Sequence, residues 1–183
     1  MSMLAQTDTH AAILDQAAAL FARRGFDQVS MQEIADAAQR PRSELIEYFP
    51  SKFTLYEAAI ETLRIYAREV LEHAAELPVG RERDRVVVEA AIQFTFDWPG
   101  ISAFSSGIAD CEPEGDPQLV EIGMIVYQAL GIDLANLDME RIVRVSSAFT
   151  GLGMTSLQAV RTGLTREWRG HIAQAAMDAL RPA

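Results

Sequence analysis

Apolar residues recur at helical spacing almost from the start of the chain. Ile13, Leu14, Ala17, Leu20 and Phe21 share one face, and Gly25 follows where a helix takes a left-handed stop. The pattern predicts a helix over about residues 8–24. Ser30-Met31-Gln32-Glu33 then has the spacing of a capping box, in which the serine hydroxyl and the glutamate carboxylate satisfy free amides at a helix start. Met31, Ile34, Ala35 and Ala38 continue on one face as a second, short helix. Pro41 breaks it and suits the first turn of a third, because its fixed φ is helical and its missing N–H costs nothing there. Leu45 and Phe49 are the buried stripe of that helix. Ser51 is placed to cap a long helix whose stripe runs through Leu55, Ala59, Leu63, Tyr66 and Val70.

Beyond Leu77-Pro78-Val79-Gly80 the apolar residues become larger, and helices are predicted at roughly 83–97, 100–109, 117–130, 138–162 and 165–181. Residues 110–117 read as a polar turn. No strand signal, internal repeat or low-complexity tract interrupts the series. The expected fold is all-α, with about nine helices.

Composition narrows the class. With 183 residues, 49% hydrophobic and 23% charged, the chain is long enough to bury a core and has the balance of a soluble globular protein. The single cysteine excludes an intrachain disulfide, and the first ten residues lack the basic start and apolar run of a secretory signal. No apolar run approaches membrane-spanning length. The expectation is a cytoplasmic protein without membrane association. A formal charge of -10 argues against general coating of nucleic acid, which depends on a basic surface. The deficit is uneven, however. Residues 1–52 hold five basic and seven acidic residues, against 11 and 19 in the remainder, and Lys52 is the only lysine.

Two short helices joined by a tight turn and braced by a longer one are the parts of a helix-turn-helix DNA reader. The residues go further than the spacing. Ile13-Leu14, Ala17, Leu20-Phe21, Arg24-Gly25-Phe26, Ser30-Met31, Ile34-Ala35, Ala38, Leu45, Tyr48-Phe49-Pro50-Ser51-Lys52 and Leu55 resemble the N-terminal domain of TetR-family repressors, over about residues 8–60. The resemblance implies that the helix from about Pro41 to Phe49 enters the major groove. Arg42, Ser43, Glu44 and Ile46 would then face bases, and Ser30, Tyr48 and Lys52 would face phosphates. Side-chain chemistry agrees for Arg42, whose fork matches guanine O6 and N7, and for Lys52 as a point charge. The chain departs from the family at the turn, where Gln39 and Arg40 replace a glycine and a small apolar residue, and on the reading helix, where Ile46 replaces a tyrosine. Glu44 and Glu47 add two carboxylates to a helix that should approach phosphate.

The resemblance also implies a division of labour. A helix-turn-helix head at 1–50 would be followed by a regulatory body at 51–183 that binds a small molecule and dimerises. Phe94, Trp98, Phe104, Met124, Tyr127, Phe149 and Met154 are the candidate lining of an apolar effector site there. Ile142, Val145, Phe149, Leu152, Ser156 and Val160, with Trp168, Ile172, Ala176 and Ala179, form stripes on the last two helices that would serve the core and admit a partner subunit. Gly151 and Gly153, unfavourable inside a helix, suggest a kink, a close helix contact or ligand approach.

Other chemistry is thinly signalled. Asp110, Glu112, Glu114, Gly115 and Glu121 have calcium-loop spacing, but the third and fifth places carry glutamate, and Pro113 and Pro117 remove donors. His10, His73 and His171 are dispersed, Cys111 stands among acids that disfavour a thiolate, and no nucleophile can be assigned a base. The sequence therefore reads as a non-enzymatic, ligand-responsive transcriptional regulator, a repressor by resemblance. It would need no cofactor or metal, and its partners would be a palindromic double-stranded DNA operator, a small hydrophobic effector and a second copy of itself. The rival is a helical small-molecule-binding or adaptor protein that has lost specific DNA binding.

Overall fold

The computed structural model describes residues 3–111 and 117–181. Among these residues there are nine helices and no strand: α1 (Met3–Arg24), α2 (Met31–Ala37), α3 (Arg42–Tyr48), α4 (Lys52–Ala75), α5 (Arg81–Asp97), α6 (Pro99–Cys111), α7 (Pro117–Ala129), α8 (Met139–Thr162) and α9 (Thr165–Ala179). None of them is long and apolar enough to cross a membrane. Helix ends follow local chemistry. Asp138 accepts from the amides of Glu140 and Arg141 to start α8, and Gly163 ends it in the left-handed conformation that glycine adopts without steric cost. α6 runs two residues further than the pattern predicted. The chain meets no proline there before Pro113. The acidic stretch with calcium-loop spacing lies largely outside the described residues. Its last member, Glu121, instead pairs with Arg64 at 3.6 Å and Arg68 at 3.5 Å.

The helices gather into two compact units. One comprises Met1–Leu63 and Trp98–Asp116, the other Arg64–Asp97 and Pro117–Ala183. This grouping places α6 and the first half of α4 in the same unit as α1–α3. In that unit Ile13, Leu14, Ala17, Phe21, Ile34, Leu45, Phe49, Leu55, Ile101 and Phe104 are buried, and the largest helix contact is between α1 and α6. The ring of Phe104 lies 5.9 Å from Phe21 and 5.3 Å from Tyr56.

A carboxylate fixes how α6 meets α1. α6 begins at Pro99, so the amides of Gly100 and Ile101 have no partner within the helix. Asp15 Oδ1, on α1, accepts from both, at 2.8 and 3.0 Å. The backbones approach so closely that a Cβ on Gly100 would stand 1.9 Å from the Asp15 carbonyl oxygen. Burial raises the pKa of Asp15 above its ordinary 3.8, outweighing the two amides that favour its charged form.

The second unit is built on α5, α8 and α9. Val87, Val88, Ile92, Val145, Ala148, Leu152, Ile172, Ala176 and Met177 form its core. The stripe Val145, Leu152 and Ser156 on α8 is thus occupied within the chain. The outward face of α8 instead carries Met139 and Met154, each 65% exposed, and Val143 at 60%. A Cβ on Gly151 or Gly153 would meet nothing, so neither glycine serves a close contact within the chain.

Two substitutions separate the roles of Asp15. Asp15→Ala leaves the Gly100 and Ile101 amides unpaired and should cost about 1–3 kcal/mol in chemical denaturation. Asp15→Asn keeps an acceptor without a buried charge and should match or exceed the parent at neutral pH. Because the folded pKa is raised, the parent loses stability as pH rises from 3.8 through that folded value; the asparagine variant should lack this decline.

Candidate nucleic-acid interface

The turn between α2 and α3 sets the geometry of the head. The N–H of Arg40 donates to Ala35 O at 2.9 Å and that of Gln39 to Asp36 O at 3.1 Å, the paired bonds of a Schellman stop. Gln39 takes the left-handed position with φ 54°. The turn that glycine makes in the resembled family is therefore kept, with a side chain that left-handed backbone disfavours. Pro41 lies just before the first turn of α3, and its carbonyl accepts from Leu45 N–H at 3.1 Å. Leu45 and Phe49 anchor α3 in the core.

α2 starts with the capping box that the sequence predicted. The Glu33 amide donates to Ser30 Oγ at 3.2 Å, while the Ser30 amide and hydroxyl both donate to Glu33 Oε2 at 2.8 Å. Arg24, at the end of α1, closes on the other carboxylate oxygen at 2.5 Å and also donates to Gln28 O at 3.3 Å. The Ser30 amide first, then Arg24 and the Ser30 hydroxyl, lower the pKa of Glu33 to about 2.

The outward residues of α3 are Arg42, Ser43, Ile46 and Glu47. Arg42 makes no ion pair or hydrogen bond among the described residues and is available to a ligand. Glu44 is half-buried and pairs with Arg40 at 3.5 Å, and Arg40 also donates to Thr9 Oγ1 at 3.3 Å. The Tyr48 ring packs edge-on to His10 at 5.8 Å, and His10 stacks on Phe49 at 4.4 Å. Lys52 Nζ donates to Phe26 O at 2.8 Å and Asp27 O at 3.4 Å, and lies 4.6 Å from the centre of the Phe26 ring.

Of the seven residues predicted for this face, Arg42, Ser43 and Ile46 therefore stand together on its surface. Ser30 and Lys52 have their polar groups engaged in the protein, with Glu33 and with the carbonyls of Phe26 and Asp27. Glu47, one of the two carboxylates that the sequence places on this helix, shares the outward face with Ser43 by i,i+4 spacing. This face offers a guanidinium for guanine, an apolar branch for a thymine methyl and a carboxylate for cytosine N4.

The seven residues predicted to line an effector site are dispersed. Phe94 is buried, with its ring 4.9 Å from Tyr66, whereas Tyr127 and Phe149 pack against the core built on α5, α8 and α9. Phe104 belongs to the other unit, Trp98 is half-buried, and Met124 and Met154 are exposed. Aromatic and sulfur-bearing residues at helical spacing serve as ordinary core more often than as cavity walls. The described residues contain no group of three or more metal-ligating side chains.

Comparisons with known proteins agree with this geometry. Residues 13–59 match the family described as bacterial regulatory proteins, tetR family. An uncharacterised HTH-type transcriptional regulator of Mycobacterium tuberculosis strain H37Rv is 34% identical over 94 residues, 50% of this chain and 46% of that protein. The chain thus spans about half the length of the curated relatives it matches. Among solved structures, the TetR-family regulator PfmR of Thermus thermophilus aligns with a TM-score of 0.55 at 20% identity, over 93% of this chain and 95% of that one. The fatty acid degradation regulator FadR of Bacillus halodurans aligns with 0.54 at 15%, over 93% and 98%. At these identities the likeness is one of fold.

The turn and the cap each yield a measurable outcome. Gln39→Gly should raise stability by about 1 kcal/mol, roughly 2–4 °C in Tm, whereas β-branched Gln39→Val should lower it. Because the folded pKa of Glu33 is depressed, its contribution is present above 4.5 and is lost as pH falls toward about 2. Glu33→Gln should flatten that acid limb in pH-dependent denaturation, and an unchanged limb would refute the assignment.

Proposed function

Residues 13–59 belong to the tetR family of bacterial regulatory proteins, and from that premise we propose that the chain is a ligand-responsive transcriptional regulator that binds double-stranded DNA. The supporting observation is the outward face of α3, where Arg42, Ser43, Ile46 and Glu47 are exposed on a helix anchored by Leu45 and Phe49. In this reading residues 1–50 read the operator, and residues 51–183 bind effector and partner. Arg42 contributes base specificity, and Ser30, Tyr48 and Lys52 border the phosphates. Occupying an operator blocks transcription, so repression is the simplest output.

A homodimer would present two recognition helices to a palindrome. The outward face of α8, with Met139, Val143 and Met154 exposed and Gly151 open, supports this assembly. The effector in this reading is a small apolar molecule held near Phe94, Tyr127 and Phe149 in the second unit. It lowers DNA affinity by binding one of two conformations better than the other.

The charge of -10, with Lys52 bonded to backbone carbonyls, favours the rival reading of a helical binding or adaptor protein without specific DNA affinity. Selection of bound fragments from the DNA flanking the gene separates the two. A regulator enriches a palindrome, and light scattering finds a dimer at micromolar concentration. Arg42→Ala should cost about 1–3 kcal/mol of discrimination at one position of each half-site. A folded monomer that forms no specific complex at low salt would establish the rival.

A further inference from the structure

The second unit has a cavity of about 480 Å³ between the start of α5, the start of α8 and the end of α9. Two of its lining residues, Met177 and Leu180, also belong to the core of that unit. Its apolar wall comes from Val79, Met177 and Leu180. Four arginines face it against three carboxylates, leaving one net positive charge in a chain that is otherwise strongly acidic.

The arginines are not equivalent. Arg141 is committed: it pairs at 2.5 Å with Asp84, which is 6% exposed, and donates to Leu180 O at 3.2 Å. Removing either partner would leave a buried charge. Arg144 pairs with Glu140, one turn away on the same helix, at 2.8 Å, and Arg181 pairs with Asp178 at 3.1 Å. Both carboxylate partners are largely exposed, and such pairs are weak and easily exchanged. Arg81 makes no ion pair or hydrogen bond among the described residues. Arg144 also donates to Ala179 O at 3.5 Å, so Arg81 and Arg181 are the readiest to turn to an incoming anion, with Arg144 behind them, while the buried pair holds the wall in place.

We infer that this cavity binds an amphiphilic monocarboxylate, its headgroup taken by Arg81, Arg144 and Arg181 and its chain laid over Val79, Met177 and Leu180. One net charge in the lining suits a monoanion better than a dianion. A guanidinium fork matches a carboxylate in two parallel hydrogen bonds. Apolar walls add affinity that a bare anion would not gain. Such a ligand would tie the start of α5 to the start of α8 and the end of α9. This goes beyond the DNA-binding proposal and does not depend on it.

The test is calorimetric titration of the full chain with octanoate, using acetate and octylammonium as probes that lack the tail and the negative charge. Octanoate should bind with Kd below about 1 mM, and both other probes at least about tenfold more weakly. The double variant Arg144→Gln/Arg181→Gln should weaken octanoate binding at least about tenfold, because two of the three headgroup guanidinium groups are lost. Val79→Glu puts a like charge at a position 65% exposed, where the fold tolerates it, and should do the same. It decides the matter if the double variant fails to fold. No octanoate binding, equal binding of octylammonium or acetate, or unchanged affinity in folded Val79→Glu would each overturn the inference.

Discussion

The first unit depends on satisfying the free amides at the start of α6. A helix that begins inside a packed unit exposes N–H groups with no partner, and leaving them unpaired costs about as much as a typical core mutation. Asp15, 85 positions earlier, supplies the acceptor. The absence of a side chain at Gly100 lets the two backbones close to that distance. The joint positions Phe104 against Phe21 and Tyr56, and α1 in turn packs on α2. The reading helix is thus the outer end of a chain of contacts that begins at a buried carboxylate, whose raised pKa reports the tension between burial and capping.

The head uses most of its positive charge on itself. Arg24 closes the capping box of α2, Arg40 ties the turn to Thr9 and Glu44, and Lys52 holds the corner after α1 through Phe26 and Asp27. Each contact makes a short, marginal helix more rigid. Each also withdraws a cation from the electrostatic attraction that drives nonspecific DNA binding. What remains on the outward face of α3 is one arginine with a serine, an isoleucine and a glutamate, a set better suited to choosing bases than to holding phosphate at random.

The second unit shows the complementary economy. Its core stripe on α8 is filled from within the chain, and the buried Asp84–Arg141 pair ties α5 to α8 where a hydrophobic contact would carry no direction. Apolar side chains left outside include Met139, Val143 and Met154 on the opposite face of α8, Val120 and Met124 on α7, and Val79 at the cavity.

The sequence by itself determined the helices, the capping box, the stop at Gly25 and the anchoring of α3 by Leu45 and Phe49. All of these rest on interactions within one or two helical turns, which leave a period or a spacing in the residues. It also marked Gln39 as the odd residue of the turn, and the backbone there has the φ that explains why glycine would be expected. Tertiary structure alone decided which polar groups are free. Nothing near Lys52 in sequence announces that its ammonium meets carbonyls 26 and 25 positions away, and nothing near Asp15 announces the amides of α6. The aromatic set Phe94, Phe104, Tyr127 and Phe149 looked like one cavity because helical spacing records which face is apolar, not which neighbour that face meets. Partner choice is a long-range property of packing, and these residues divide between two units for that reason.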